Sequence, residues 1–233
     1  MDRLQTYIEG FDEVLGGGIP RGSVVLVCGT PGTMKTSVTF SILYNNVKNN
    51  GSKALYISLE EGHDDLKRAM TELGLAGIDD MELYILDVSK IRLEHKDDET
   101  SKNWLEILEK YIEQRVKMNK FDLVVIDSMA SLYSLTHMQN PRRELFHFFG
   151  FLKDMEATTF LVSEMRHGDE QFGEYSEDFL ADGVLFLKLF DAGVSDVQLR
   201  LRCVKMRRAN HDKGYHRLLH TEKGFQITRV LSE

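Results

Sequence analysis

The stretch CGTPGTMKTS, residues 28–37, carries groups whose types and spacing suit the holding of phosphate. It nearly follows the pattern G-x-x-x-x-G-K-[ST], with Gly29 opening it and Lys35 and Thr36 closing it. In such a loop, backbone amides and the start of the following helix face phosphate oxygens. Lys35 would supply charge at the β- and γ-phosphates, and the Thr36 hydroxyl would ligate Mg²⁺. The candidate nucleotide-binding loop is therefore Gly29, Thr30, Pro31, Gly32, Thr33, Met34, Lys35, Thr36 and Ser37. Met34 departs from the pattern, which has its second glycine there. A side chain is tolerable at that point where the backbone is right-handed, but not where φ must be positive. The expectation is a negative φ at Met34, with its side chain turned towards the sheet or helix. Gly32 is left for the tightest part of the loop.

Two further groups could complete a phosphoryl-transfer site. Asp127 ends the apolar run FDLVVIDS, where its carboxylate can meet a metal held at the end of the first strand. Glu60 and Glu61, in SLEEG, follow another apolar run, and one such carboxylate can polarise a water for attack on a γ-phosphate. Taken singly, an acid after a β-run often just begins a turn, and a Glu pair is often a solvated corner. Taken together, Lys35, Asp127 and the Glu pair all fall at C-terminal strand ends, where doubly wound sheets bind ligands.

The elements that must position these groups can be read from periodicity. Buried strands are predicted over 22–29, 53–60, 83–88, 121–128 and 158–164, and helices over 35–50, 63–75, 104–118 and 142–155. Gly51 ends the first helix, and Pro141 stands at the start of the last. The polar run 89–103 is predicted to be an exposed loop. Beyond residue 183 the pattern changes to antiparallel strands at 183–190, 197–206 and 214–220. This is an α/β fold with a mostly parallel sheet, helices on both faces and antiparallel strands at the C-terminal edge. No repeat or Pro/Gly linker divides the 233 residues, so a single domain over 1–233 is expected.

Composition narrows the classes. Net charge is −8, which counts against a nucleic-acid partner. No apolar run approaches the roughly 18 residues of a membrane span. The N-terminus, MDRLQTYIEG, lacks the apolar core of a signal peptide, and the two cysteines, Cys28 and Cys203, lie in apolar runs. A cytoplasmic protein with no membrane partner is expected.

Several blocks in order resemble one family. GFDEVLGGGIPRGSVVLVCGTPGTMKT, LYISLEEG, FDLVVIDS, EDFLADGVLFL and VKMRRANHDKG are similar to successive blocks of the KaiC-like ATPases of the RecA/RadA superfamily. The resemblance spans nearly the whole chain, as one copy of a domain that the clock protein carries twice. It implies a RecA-like P-loop NTPase core and ATP with Mg²⁺ bound between neighbouring subunits of a homo-oligomer, usually a hexamer. It also implies slow ATP hydrolysis serving as a regulatory switch towards an unidentified protein partner. Under it, Lys35 and Thr36 match the phosphate and Mg²⁺ residues, Asp127 the second metal-site acid, and Glu60 and Glu61 the catalytic pair. Lys205, Arg207 and His211 match residues that the family sends across the interface to the neighbour's nucleotide. Positions 205 and 207 share one face of a strand, and no acid lies near them in sequence to pair them. The hydroxyl pair that the clock protein phosphorylates would fall near SEDFLAD, where Asp178 and Phe179 carry none, which argues against a clock-type autokinase.

Two other classes compete. One is a RadA-like recombinase paralogue in DNA repair; the other is a non-hydrolysing, ATP-sensing scaffold. Against the recombinase, the segment after FLVSE carries Asp169, Glu170, Glu174, Glu177 and Asp178 against Arg166, the wrong sign for phosphate. Against the scaffold stands the intact pair of Glu60 and Glu61.

Overall fold

The computed structural model describes residues 2–88, 104–169, 171–193 and 195–230. The polar segment 89–103 and Glu170, both named in the sequence reading, lie outside the described residues.

A nine-stranded sheet organises the fold: β3 (Val24–Gly29), β4 (Ala54–Ser58), β5 (Leu83–Asp87), β6 (Leu123–Asp127), β7 (Thr158–Glu164), β8 (Gly183–Asp191), β9 (Val197–Met206), β10 (His216–Thr221) and β11 (Gly224–Arg229). Their spatial order is β11-β10-β9-β8-β3-β7-β6-β4-β5. β8, β3, β7, β6, β4 and β5 run parallel, and β9, β10 and β11 add antiparallel pairings at one edge. A separate short pair, β1 (Arg3–Leu4) and β2 (Ile19–Pro20), holds the N-terminal segment.

The central strands are apolar on both faces, and side chains two apart share a face. Val25, Val27, Tyr56, Val125, Phe160 and Val162 join one core, with Phe40 and Ile42 of helix α2 (Lys35–Asn50) and Leu66 and Met70 of α3 (His63–Glu72). Val24, Leu26, Cys28, Ile57, Val124, Ile126 and Leu161 join the other. Its helical side comes from α4 (Trp104–Asn119) and α6 (Pro141–Asp154), through Leu108, Ile112, Phe148 and Leu152. Each fully buried aromatic or large aliphatic side chain contributes roughly 1.5–3 kcal/mol. Cys28 and Cys203 fall in opposite cores as free thiols, so they cannot pair.

The predicted elements are present, mostly trimmed by one to three residues at their ends. Helix α2 runs Lys35–Asn50 and stops where Gly51 takes a left-handed φ of 64°. Not anticipated were β11 and the short helices α1 (Phe11–Val14), α5 (Met129–Leu135) and α7 (Glu177–Leu180). Among the described residues, no helix is long and apolar enough to cross a membrane.

Candidate active site

Strand β3 delivers Gly29 to the loop, and α2 begins at Lys35. Gly29 has no room for a side chain. A Cβ there would lie 2.5 Å from the Thr33 hydroxyl and 2.6 Å from the Leu187 carbonyl oxygen. The loop is braced from within: Thr33, fully buried, donates to the Thr30 carbonyl at 2.8 Å, and the Lys35 ammonium donates to the same oxygen at 3.1 Å. Pro31 and Gly32 are exposed at its tip, Gly32 with φ of 80°, and Ser37 follows in the first helical turn.

Met34 corrects the expectation drawn from its type. Its φ is +62° and its ψ 28°, so this non-glycine residue is left-handed at the helix start. The chain must turn there so that the Met34 carbonyl can accept the first helical bond, from the Val38 amide at 2.9 Å. The left-handed backbone costs an L-residue roughly 1–2 kcal/mol. The other half of the expectation holds, since the side chain is half-buried against the core that contains Phe40 and Tyr56. Packing thus offsets backbone strain. Substituting Met34→Ala should remove the packing and keep the strain, whereas Met34→Gly removes both. The glycine variant is therefore expected to be about 1 kcal/mol more stable than the alanine variant in urea unfolding. An alanine variant as stable as the glycine one would contradict a positive φ here.

Opposite the loop stands Asp127 at the end of β6. The Thr36 hydroxyl donates to its Oδ2 at 2.7 Å, and the Tyr56 hydroxyl donates to the same oxygen at 2.5 Å. Burial pushes the Asp127 carboxyl above its usual range, although these two hydroxyls and Lys35 favour its charge. Glu60 lies just past β4. Ser128, at the start of α5, donates to its Oε1 at 2.6 Å, and Ser131 donates to the same oxygen. Glu61 projects beside it, and its backbone is pinned by the Ser58 hydroxyl, which accepts from its amide at 3.1 Å. Burial, then Asp127, Asp65 and Glu60, push the Glu61 carboxyl up.

Lys35 is nine-tenths buried, and burial lowers its ammonium. Opposing that are the carboxylates of Glu164, Asp127 and Glu60. Glu164 was missed by the sequence reading. It ends β7 directly opposite Gly29, and burial and then Glu60 push its carboxyl up. The signal was available: TTFLVSE closes on an acid at a strand end, as FDLVVID does. The site thus gathers oxygen donors and an excess of carboxylate around one lysine.

That donor set fits Mg²⁺, which takes hard oxygens and is held by one or two protein groups plus phosphates and waters. Thr36 and Asp127 already touch. Among the described residues, no group of three His, Cys, Asp or Glu could hold an ion alone.

The remaining predicted residues lie elsewhere. Gly183, which opens β8, pairs with Val25 at the start of β3, and Met206 pairs with Gly183. Lys205 and Arg207 therefore sit towards the opposite end of the strands from Gly29, roughly 10–13 Å away along β3 at ~3.3 Å per residue. They are not without an acid, as the sequence suggested. The Arg207 guanidinium donates to Asp182 Oδ1 at 3.1 Å and to the Phe179 carbonyl at 3.1 Å. The partner was invisible because it lies 25 residues away in the chain. The Lys205 ammonium donates to the Asp178 and Ala181 carbonyls, each at 2.8 Å. His211 does not join them. It lines a cleft of about 630 Å³ with Glu13, Val14, His216 and Arg229, and both its ring nitrogens are buried without a partner. In the acidic segment, Glu177 is fully buried, accepting from the Tyr133 hydroxyl and from the Tyr175 amide at 2.9 Å, so it adds no charge to the surface.

Comparison with known proteins bears on the family and the fold. The family model for the KaiC ATPase matches residues 4–232. The circadian clock oscillator protein KaiC 1 of Synechocystis is 30% identical over 97% of this chain, and KaiC of Parathermosynechococcus lividus is 31% identical over 97%. The chain spans less than half of these relatives, 44% and 42% of their lengths. Among solved structures, a KaiC-like protein of the archaeon Pyrococcus horikoshii superposes with a TM-score of 0.83 at 25% identity, covering 98% of this chain and 99% of that one.

Proposed function

The chain belongs to the KaiC ATPase family, and from that premise we propose that residues 1–233 form one ATPase domain that binds and slowly hydrolyses Mg²⁺-ATP at the interfaces of a homo-oligomeric ring, a hexamer by analogy with the family. The ring serves as a regulatory switch for a protein partner and works in the cytoplasm. The observation that carries the reading is the meeting of Thr36 with Asp127 beside Lys35, with Glu60 held next to them.

In this reading the loop amides and Lys35 bind the β- and γ-phosphates. Lys35 would exchange its bond to the Thr30 carbonyl for phosphate oxygens. Mg²⁺, once bound, neutralises charge building on the transferred phosphoryl group. Thr36 and Asp127 would hold it, offsetting the negative charge that burial disfavours on Asp127. Glu60 takes the proton of the attacking water. Two seryl hydroxyls orient its carboxylate, and its charge reaches Lys35. Lys205 and Arg207 lie along the strands from Gly29 and their side chains are tied to residues 178–182, which supports a role outside their own subunit's site. They serve the neighbour's γ-phosphate, whereas His211, apart from them in its own cleft with both ring nitrogens buried, takes no part in this reading.

Calorimetry with Mg²⁺-ATP is expected to show binding, and phosphate release is expected to show turnover. Binding without any turnover would favour the ATP-sensing scaffold. Single-stranded DNA is expected to bind negligibly, given the net charge of −8. Tight, salt-sensitive DNA binding would favour the recombinase reading.

A further inference from the structure

We propose that Asp182 is a positioning residue for ATP turnover: its carboxylate fixes Arg207 at the subunit surface and ties that cation to the strand that carries the phosphate loop. The proposal rests on the shared-site reading above and assigns a role to a residue outside it.

Asp182 is 8% exposed and sits between α7 and β8. Its two oxygens face different ways. Oδ2 accepts from the Val24 amide at 3.1 Å, and the Asp182 amide donates to the Val24 carbonyl at 2.7 Å. Val24 is the first residue of β3, whose far end is Gly29. Oδ1 accepts from Arg207 at 3.1 Å and from Lys153 at 3.1 Å. The Asp182 carbonyl accepts from the Arg207 amide at 2.8 Å. Backbone and side chain of Arg207 are thus both tied to Asp182.

Three cations, Lys153, Lys205 and Arg207, converge on residues 178–182, and the Asp182 carboxylate is bonded to two of them. Burial pushes the Asp182 carboxyl up, but the Val24 amide, Lys153 and Arg207 outweigh it and hold it below its usual range. The donors of these cations are not used up. A guanidinium has five N–H groups and an ammonium three. Two of the Arg207 donors and two of the Lys205 donors have partners here. The Arg207 side chain is still 47% exposed. An arginine held on one side and open on the other is presented to an incoming anion. It loses less conformational freedom on binding than a free side chain would.

The test is a double-mutant cycle on assembled rings, reading kcat and KM for Mg²⁺-ATP in wild type, Asp182→Asn, Arg207→Ala and the double variant. Asp182→Asn is expected to lower kcat about tenfold, with KM changed less than twofold. In the Arg207→Ala background the same change is expected to do nothing further, because Asp182 acts through Arg207. Asp182→Glu, which keeps the charge, should recover part of the loss, and it replaces the asparagine variant in the cycle if that variant does not fold. Equal losses in both backgrounds would mean a structural role and would overturn the proposal. So would a full-rate Asp182→Asn beside a slow Arg207→Ala. A full-rate Arg207→Ala would instead overturn the shared-site reading itself.

Discussion

Replacing Arg207 by alanine is expected to slow ATP turnover by on the order of 10³, the effect of removing an arginine that meets the γ-phosphate charge in the transition state. Stability should change little. Arg207 is half exposed, where ion pairs contribute about 0–1 kcal/mol. Lys153 stays 3.1 Å from Asp182, so the buried carboxylate is not left unpaired. A large fall in rate without a fall in the urea midpoint would separate a role in the reaction from a role in folding. Phosphate release under saturating Mg²⁺-ATP reads the first, and unfolding followed by circular dichroism reads the second. Turnover at the wild-type rate would contradict the assignment.

The second large effect is expected at Glu60. Glu60→Gln keeps the shape and an acceptor for Ser128 and Ser131 but loses the base, and turnover should fall 10²–10³-fold, within the range general bases contribute. Glu61→Gln should cost less than tenfold, since the Ser128 and Ser131 hydroxyls orient the carboxylate of Glu60 rather than that of Glu61. Single-turnover measurements with both variants decide the matter. The reverse order would make Glu61 the base, and unchanged rates in both would remove the base from this pair.

The sequence made the strand ends legible, because near-continuous apolar runs closing on Gly29, Glu60 or Asp127 can be little else than buried parallel strands. Helix α2 was readable to the residue from Lys35 and Gly51. What stayed hidden was non-local or local to an edge. β11, GFQITR, is half-buried at the sheet margin and lacks a clean alternation. Helix α5 is a single short stretch behind Asp127, and its importance lies in Ser128 and Ser131 reaching back to Glu60 across about seventy residues of chain. Asp182 reads as an ordinary turn acid until the fold brings Val24, Lys153 and Arg207 around it. Met34 failed for a different reason. Residue type predicts the cheapest backbone, but the loop dictates the backbone, and contact with the core offsets the cost.

The central claim is that each site is built from two subunits, with Lys35 on one side and Lys205 and Arg207 on the other. It is tested most directly by mixing two variants that are each inactive, Lys35→Ala and Arg207→Ala, under conditions in which subunits exchange. A shared site predicts that mixed rings regain part of the wild-type phosphate release. Some interfaces in them then place an intact Lys35 loop against an intact Arg207. Mixed rings that demonstrably form and stay inactive would contradict it.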